Sequence, residues 1–109
     1  MTGPTIHDLQ ERLDAELPAF TSALRAEREC DWPQDDQGRA FFALEQLRAW
    51  VLGAGGEAAP QVWAAVERLL ATEDPVLLNA LAVGLLEGHW PRRQLDLMGP
   101  RTRALYDAL

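Results

Sequence analysis

Lysine is absent from this sequence, so all ten basic residues are arginines, and isoleucine, asparagine, tyrosine and cysteine occur once each. With Cys30 as the sole cysteine, an intrachain disulfide is excluded. A lone thiol suits a reducing compartment, so a cytoplasmic location is expected. Histidine is nearly missing too: His7 and His89 are the only two. Neither has a Cys, Asp or Glu at ligand spacing, and a zinc site needs three or four nitrogen or sulfur ligands, so no metal and no cofactor is expected. The start, Met1-Thr2-Gly3-Pro4, carries neither a basic cluster nor an apolar stretch, and no apolar run reaches spanning length. Export and membrane embedding are therefore not expected. No segment alternates polar and apolar residues long enough to make a strand.

What the sequence does contain is the material of one globular domain. Its 109 residues are 48% hydrophobic and 25% charged, a profile that can bury a core and lacks the signature of disorder. The net charge of −7 is unevenly spread: residues 1–36 hold nine acids and three arginines, whereas residues 88–109 hold two acids and four arginines. Such a body repels phosphate backbones and attracts cationic protein surfaces, so a protein partner of basic character is expected and nucleic acid is not.

The apolar periodicity is helical throughout. Ile6, Leu9, Leu13 and Leu17 share one stripe, with Thr5 as N-cap and Asp8 in the capping-box position. Pro18 breaks the chain there, and Phe20 and Leu24 carry the stripe into a second helix. Residues 27–36 lose the pattern and read as an acidic loop around Cys30, Trp32 and Pro33. Asp35 or Asp36 caps a long helix with Phe41, Leu44, Leu47 and Val51 inward and Glu45 and Arg48 outward, ending near Gly53. A helix over about 58–72 buries Val62, Val66, Leu69 and Leu70 and leaves Gln61, Glu67 and Arg68 outside. Asp74-Pro75 then supplies an N-cap and a first helical residue. The run from Val76 to Glu87 is apolar on nearly every face, which predicts a central helix, 75–87, surrounded by others. Gly88 and Pro91 end it, a short turn of helix follows over 92–98, and Gly99-Pro100 opens the last helix. The predicted fold is all-α, with about six short antiparallel helices in a bundle or a short HEAT-like array. The HEAT-like alternative rests on the Asp-Pro turn between residues 69 and 82, which resembles an inter-repeat turn but has no second copy at a fixed period.

No catalytic motif is present, so no enzymatic activity is expected. Cys30 stands among carboxylates, which raise a thiol pKa and make it a poor nucleophile. Asn79 is the one amide in the apolar helix; if buried it must find partners or cost about 1–3 kcal/mol. Glu87, two turns on, flanks the same apolar strip, and Arg92, Arg93, Arg101 or Arg103 could pair with it. Asn79 and Glu87 are thus structural polar groups or the edge of a small-molecule pocket. Trp50 and Trp63 read as packing residues facing each other across the Gly55-Gly56 turn. Trp32, ringed by Asp31, Asp35 and Asp36, has the make-up of an interface for a basic partner, an aromatic anchor inside an acidic rim, and reads equally as packing over the core.

Asp74-Pro75, Asn79, the Val83 to Glu87 run and Leu97-Met98-Gly99-Pro100, with Glu16-Leu17-Pro18 upstream, resemble a family of small helical bacterial proteins that look like immunity proteins of polymorphic toxin systems. Gly84, Leu85 and Met98 depart from its pattern. The resemblance implies a non-enzymatic protein that caps a toxin-like partner, and supplies no catalytic residue. A homodimer formed through apolar faces of the short C-terminal helix, and a small-molecule-binding bundle, are the alternative expectations.

Overall fold

Proline and short polar side chains punctuate the chain, and the helices begin where they stand. The computed structural model describes residues 3–28, 35–53 and 55–109, the side chains of residues 27, 28 and 36 excepted. A 3₁₀ turn, Ile6–Asp8, leads into α1, Leu9–Glu16. The Asp8 carboxylate accepts from the Thr5 N–H at 2.9 Å and from its hydroxyl at 3.1 Å, the reach-back half of a capping box. Leu17 interrupts the helix, and α2, Pro18–Arg28, starts on the proline, whose missing N–H costs nothing at a first position. Ile6, Leu9, Leu13, Leu17, Phe20 and Leu24 are all buried. Because α2 runs to Arg28, the segment predicted as loop from Glu27 begins inside a helix.

α3, Asp36–Leu52, is capped by Asp35, which accepts from the Gly38 N–H at 2.7 Å. It buries Ala40, Ala43, Leu44, Leu47 and Val51. A second 3₁₀ turn, Gly56–Ala58, leads to α4, Ala59–Leu69, with Val62, Trp63, Val66 and Leu69 inward. α4 ends short of residue 72, because the next residues are drawn to the N-terminal segment: the Thr72 hydroxyl donates to the Pro4 carbonyl and accepts from the Asp74 N–H at 3.0 Å.

α5, Pro75–Ala80, continues directly as a π-helical segment, Leu81–Leu86. The wider turn shows in the bond from the Glu87 N–H to the Ala82 carbonyl, five residues back, at 2.7 Å. α6, Arg92–Leu95, and α7, Pro100–Asp107, complete the chain. The π segment lies mainly against α3, and Leu77, Ala80, Leu81, Leu85 and Leu86 are fully buried. At ~1.5–3 kcal/mol for each large aliphatic side chain removed from water, this face dominates the core. The opposite face is open: Asn79 is exposed, with Val76 at 38% and Val83 at 48% of their surface in water. The helix is therefore central on one side only, which corrects the expectation that neighbours surround it.

The described residues form seven α-helices and no strand. With extents of 34 × 33 × 23 Å and a radius of gyration of 12.9 Å, close to the ~13 Å of a compact 100-residue domain, they make an all-α bundle, without the long axis of a repeat array.

Candidate functional site

Three groups of residues come into question: the predicted acidic edge, the Asn79–Glu87 pair, and a corner at the end of the π segment that the sequence did not announce. Of the acidic edge, Asp31 and Trp32 lie outside the described residues, as does Cys30, and Asp36 is described only as the first residue of α3. Asp35 is exposed, and its carboxylate caps α3, so one member of the edge carries a structural duty. Other acids of the N-terminal half are also engaged. Both oxygens of Asp14 lie 2.9 Å from Arg25, and Glu16 meets Arg68. Burial would raise the Asp14 pKa, but the bonds from Arg25 and Gln10, with the Arg25 charge, outweigh it and hold the carboxyl low.

Asn79 and Glu87 are both exposed. The predicted buried amide needs no protein partner, because α5 turns that face to water. The Glu87 carboxylate forms no ion pair among the described residues; its backbone carbonyl is the group in use, accepting from Arg48. Neither residue lines any of the three cavities named below.

Arg48, predicted to point outward beside Glu45, instead reaches the end of the π segment. A helix C-terminus leaves carbonyls without partners and carries partial negative charge. The Arg48 guanidinium donates to the Leu85 and His89 carbonyls, each at 3.0 Å, and to that of Glu87. It also lies 4.7 Å from the Trp90 ring centre, a cation–π distance. Gly88, at φ +105°, makes the turn beneath it, in the left-handed region where a side chain is strained.

Trp90 is fully buried and meets fully buried Trp63 edge to face, with centres 5.0 Å apart at 82°. Trp63 thus pairs with Trp90, and Trp50 packs on Phe20 at 5.5 Å instead of facing Trp63. The Trp63 indole N–H donates to the Gln94 side-chain carbonyl at 2.7 Å. The Trp90 Nε1–H has no acceptor among the described residues, a condition that costs about 1–3 kcal/mol.

A second remote cap stands nearby. The Glu67 carboxylate accepts from the Arg101 and Thr102 N–H groups, each at 3.0 Å, and from the Thr102 hydroxyl at 2.9 Å, so α4 supplies the cap of α7. Gly99 admits it, since a Cβ there would sit 2.4 Å from the Glu67 Oε1. Burial would raise the Glu67 pKa; the Thr102 and Arg101 bonds outweigh it and lower the value. Asp74 is also lowered, chiefly by the Ile6 N–H at 2.8 Å, against the opposing effect of burial and with help from Val76 at 2.9 Å.

Cavities open on the surface among the described residues, and three of them bear on the site. One of about 160 Å³ separates the N-terminal turn from α3, between Ile6, Gln10 and Ala43. One of about 660 Å³ runs between the 53–60 turn and α6, walled by Gly53, Pro60, Arg93 and Leu97. The third, about 280 Å³, is lined by His89, Trp90, Arg92, Leu95, Asp96 and Arg103. Among the described residues no three His, Cys, Asp or Glu side chains are grouped to hold a metal ion, and no helix is long and apolar enough to cross a membrane. Comparison with protein-family models gives no match, and none is found among curated proteins or solved structures.

Proposed function

We propose that this chain is a non-enzymatic protein-binding domain of the immunity type, which caps a basic partner through the acidic surface of its N-terminal half. The observation that carries the reading is the charge asymmetry, nine acids against three arginines in residues 1–36. An acidic patch steers a cationic partner into contact and suppresses wrong ones. Asp31, Trp32, Asp35 and Asp36 are the residues assigned to the contact, Asp35 also serving as the cap of α3.

The test compares the wild-type protein with an Asp31→Lys/Asp36→Lys variant, Asp35 being kept because it caps α3. Immobilised wild type should retain basic proteins from a lysate of the source organism at low salt and release them as salt is added, whereas the variant should retain none of them. Recovery of the same proteins by both would exclude this surface.

A homodimer is the second reading, favoured by Leu97 and Leu109, which hold 41% and 57% of their surface in water at the C-terminal end. Sedimentation of the pure protein at micromolar concentration decides it: a single monomeric species removes the dimer.

A further inference from the structure

We propose that the 280 Å³ cavity between α6, α7 and the His89-Trp90 segment is a binding site for a small organic anion, a carboxylate on a flat apolar body. The inference is independent of the acidic surface, because it concerns the opposite charge on the other end of the chain. Three observations meet there. The first is charge: on a molecule of net −7, this cavity is lined by two guanidinium groups, Arg92 and Arg103, and one carboxylate, Asp96. Arg103 also touches Asp107 at 3.5 Å, but both are largely exposed, and such pairs exchange readily for a better acceptor. The second is the Trp90 Nε1–H, the one buried side-chain donor without an acceptor among the described residues. Its edge-to-face neighbour Trp63 has its own acceptor in Gln94, so the lack is a property of this position and not of buried tryptophan in this core. The third is the half-buried apolar side chain of Leu95 in the cavity lining, beside the fully buried Trp90.

Size narrows the class. At ~30 Å³ for each water-sized unit, the cavity admits a ligand of roughly ten non-hydrogen atoms, below the usual range of drug-sized sites. The carboxylate pairs with the exposed Arg92 and Arg103 side chains, which swing to admit it, and the ring lies along Leu95. Trp90 is fully buried in this structure, so its indole N–H takes an oxygen acceptor only if the movement of those side chains opens it to the cavity.

Benzoate is the probe. In ¹H–¹⁵N spectra the four tryptophan indole signals are separate reporters, and Trp90→Phe identifies the one that matters. Titration of the wild type with benzoate should move the Trp90 indole proton downfield and saturate. The Arg92→Gln/Arg103→Gln variant should bind at least fivefold more weakly, and benzyl alcohol, which has the ring without the charge, should give no saturable shift. Added sodium chloride should weaken the wild-type titration, an arm that stands even if the double variant fails to fold. No saturable shift, an equal response to benzyl alcohol, or indifference to salt and to both arginines would overturn the site.

Discussion

The two ends of the helix at 75–86 answer the same electrostatic demand by different routes. At its start Asp74 offers a carboxylate to the Val76 N–H, and at its finish Arg48 offers a guanidinium to the Leu85, Glu87 and His89 carbonyls. Each charge has the sign that the helix dipole favours at that end. The first cap is two residues from its donor; the second is 37 to 41 residues from its acceptors. The contrast teaches that this core element is closed locally at one end and by tertiary packing at the other.

Removing the tertiary closure should cost most. Arg48→Met keeps the aliphatic stem but leaves three carbonyls without their donor and Trp90 without its cation, and should destabilise by about 2–4 kcal/mol in urea unfolding. A loss near zero would mean that solvent replaces the guanidinium and that the two ends are not equivalent. Asp74→Ala removes the local cap and the bond to Ile6, and should lower Tm by a smaller amount, a few degrees. If its effect exceeds that of Arg48→Met, the ranking of the two ends is reversed.

Acid sharpens the comparison, because it removes the charge of the carboxylate caps. Asp74, Glu67 and Asp14 all have folded pKa values lowered from their ordinary 3.8, 4.5 and 3.8. A carboxyl with a depressed folded pKa contributes stability that is present above its unfolded value and lost as pH falls through the folded one. Stability should therefore hold above about pH 5 and decline below it. Glu67→Gln should make that decline shallower in urea midpoints measured between pH 6 and pH 3; an unchanged slope would remove Glu67 from the account. The smallest effect belongs to Asn79→Ala. On an exposed helical face it should change stability by no more than about 0.5 kcal/mol, whereas a buried, bonded amide would cost about 1–3 kcal/mol.

This difference between local and distant closure also decides what the sequence discloses. The capping box at Thr5 and Asp8, the break at Pro18, the cap at Asp35 and the starts at Asp74-Pro75 and Gly99-Pro100 are legible, because each is marked by residues within three positions of one another. Arg48 read as a surface residue, since helical periodicity places it outward and nothing nearby announces the carbonyls it reaches. Glu67 was invisible as a cap of α7 for the same reason, as was the Gln94 acceptor of Trp63, 31 residues away. Asn79 misled in the opposite direction. An amide within an apolar run suggests burial, yet exposure depends on which neighbours cover that face, and Val76 and Val83 beside it are covered only in part. Of the candidate contact residues, Asp35 alone is described with its side chain, and its capping role was the part of its function that local spacing could carry.

Asp74 holds one further lesson, about the order in which the molecule assembles. One carboxylate oxygen accepts from Val76, two residues on, and the other from Ile6, 68 residues back. The first bond can form as soon as α5 nucleates, while the second waits for the closure of a long loop. A single side chain therefore makes two contacts of very different loop length, one that starts α5 and one that clasps the Ile6–Asp8 turn.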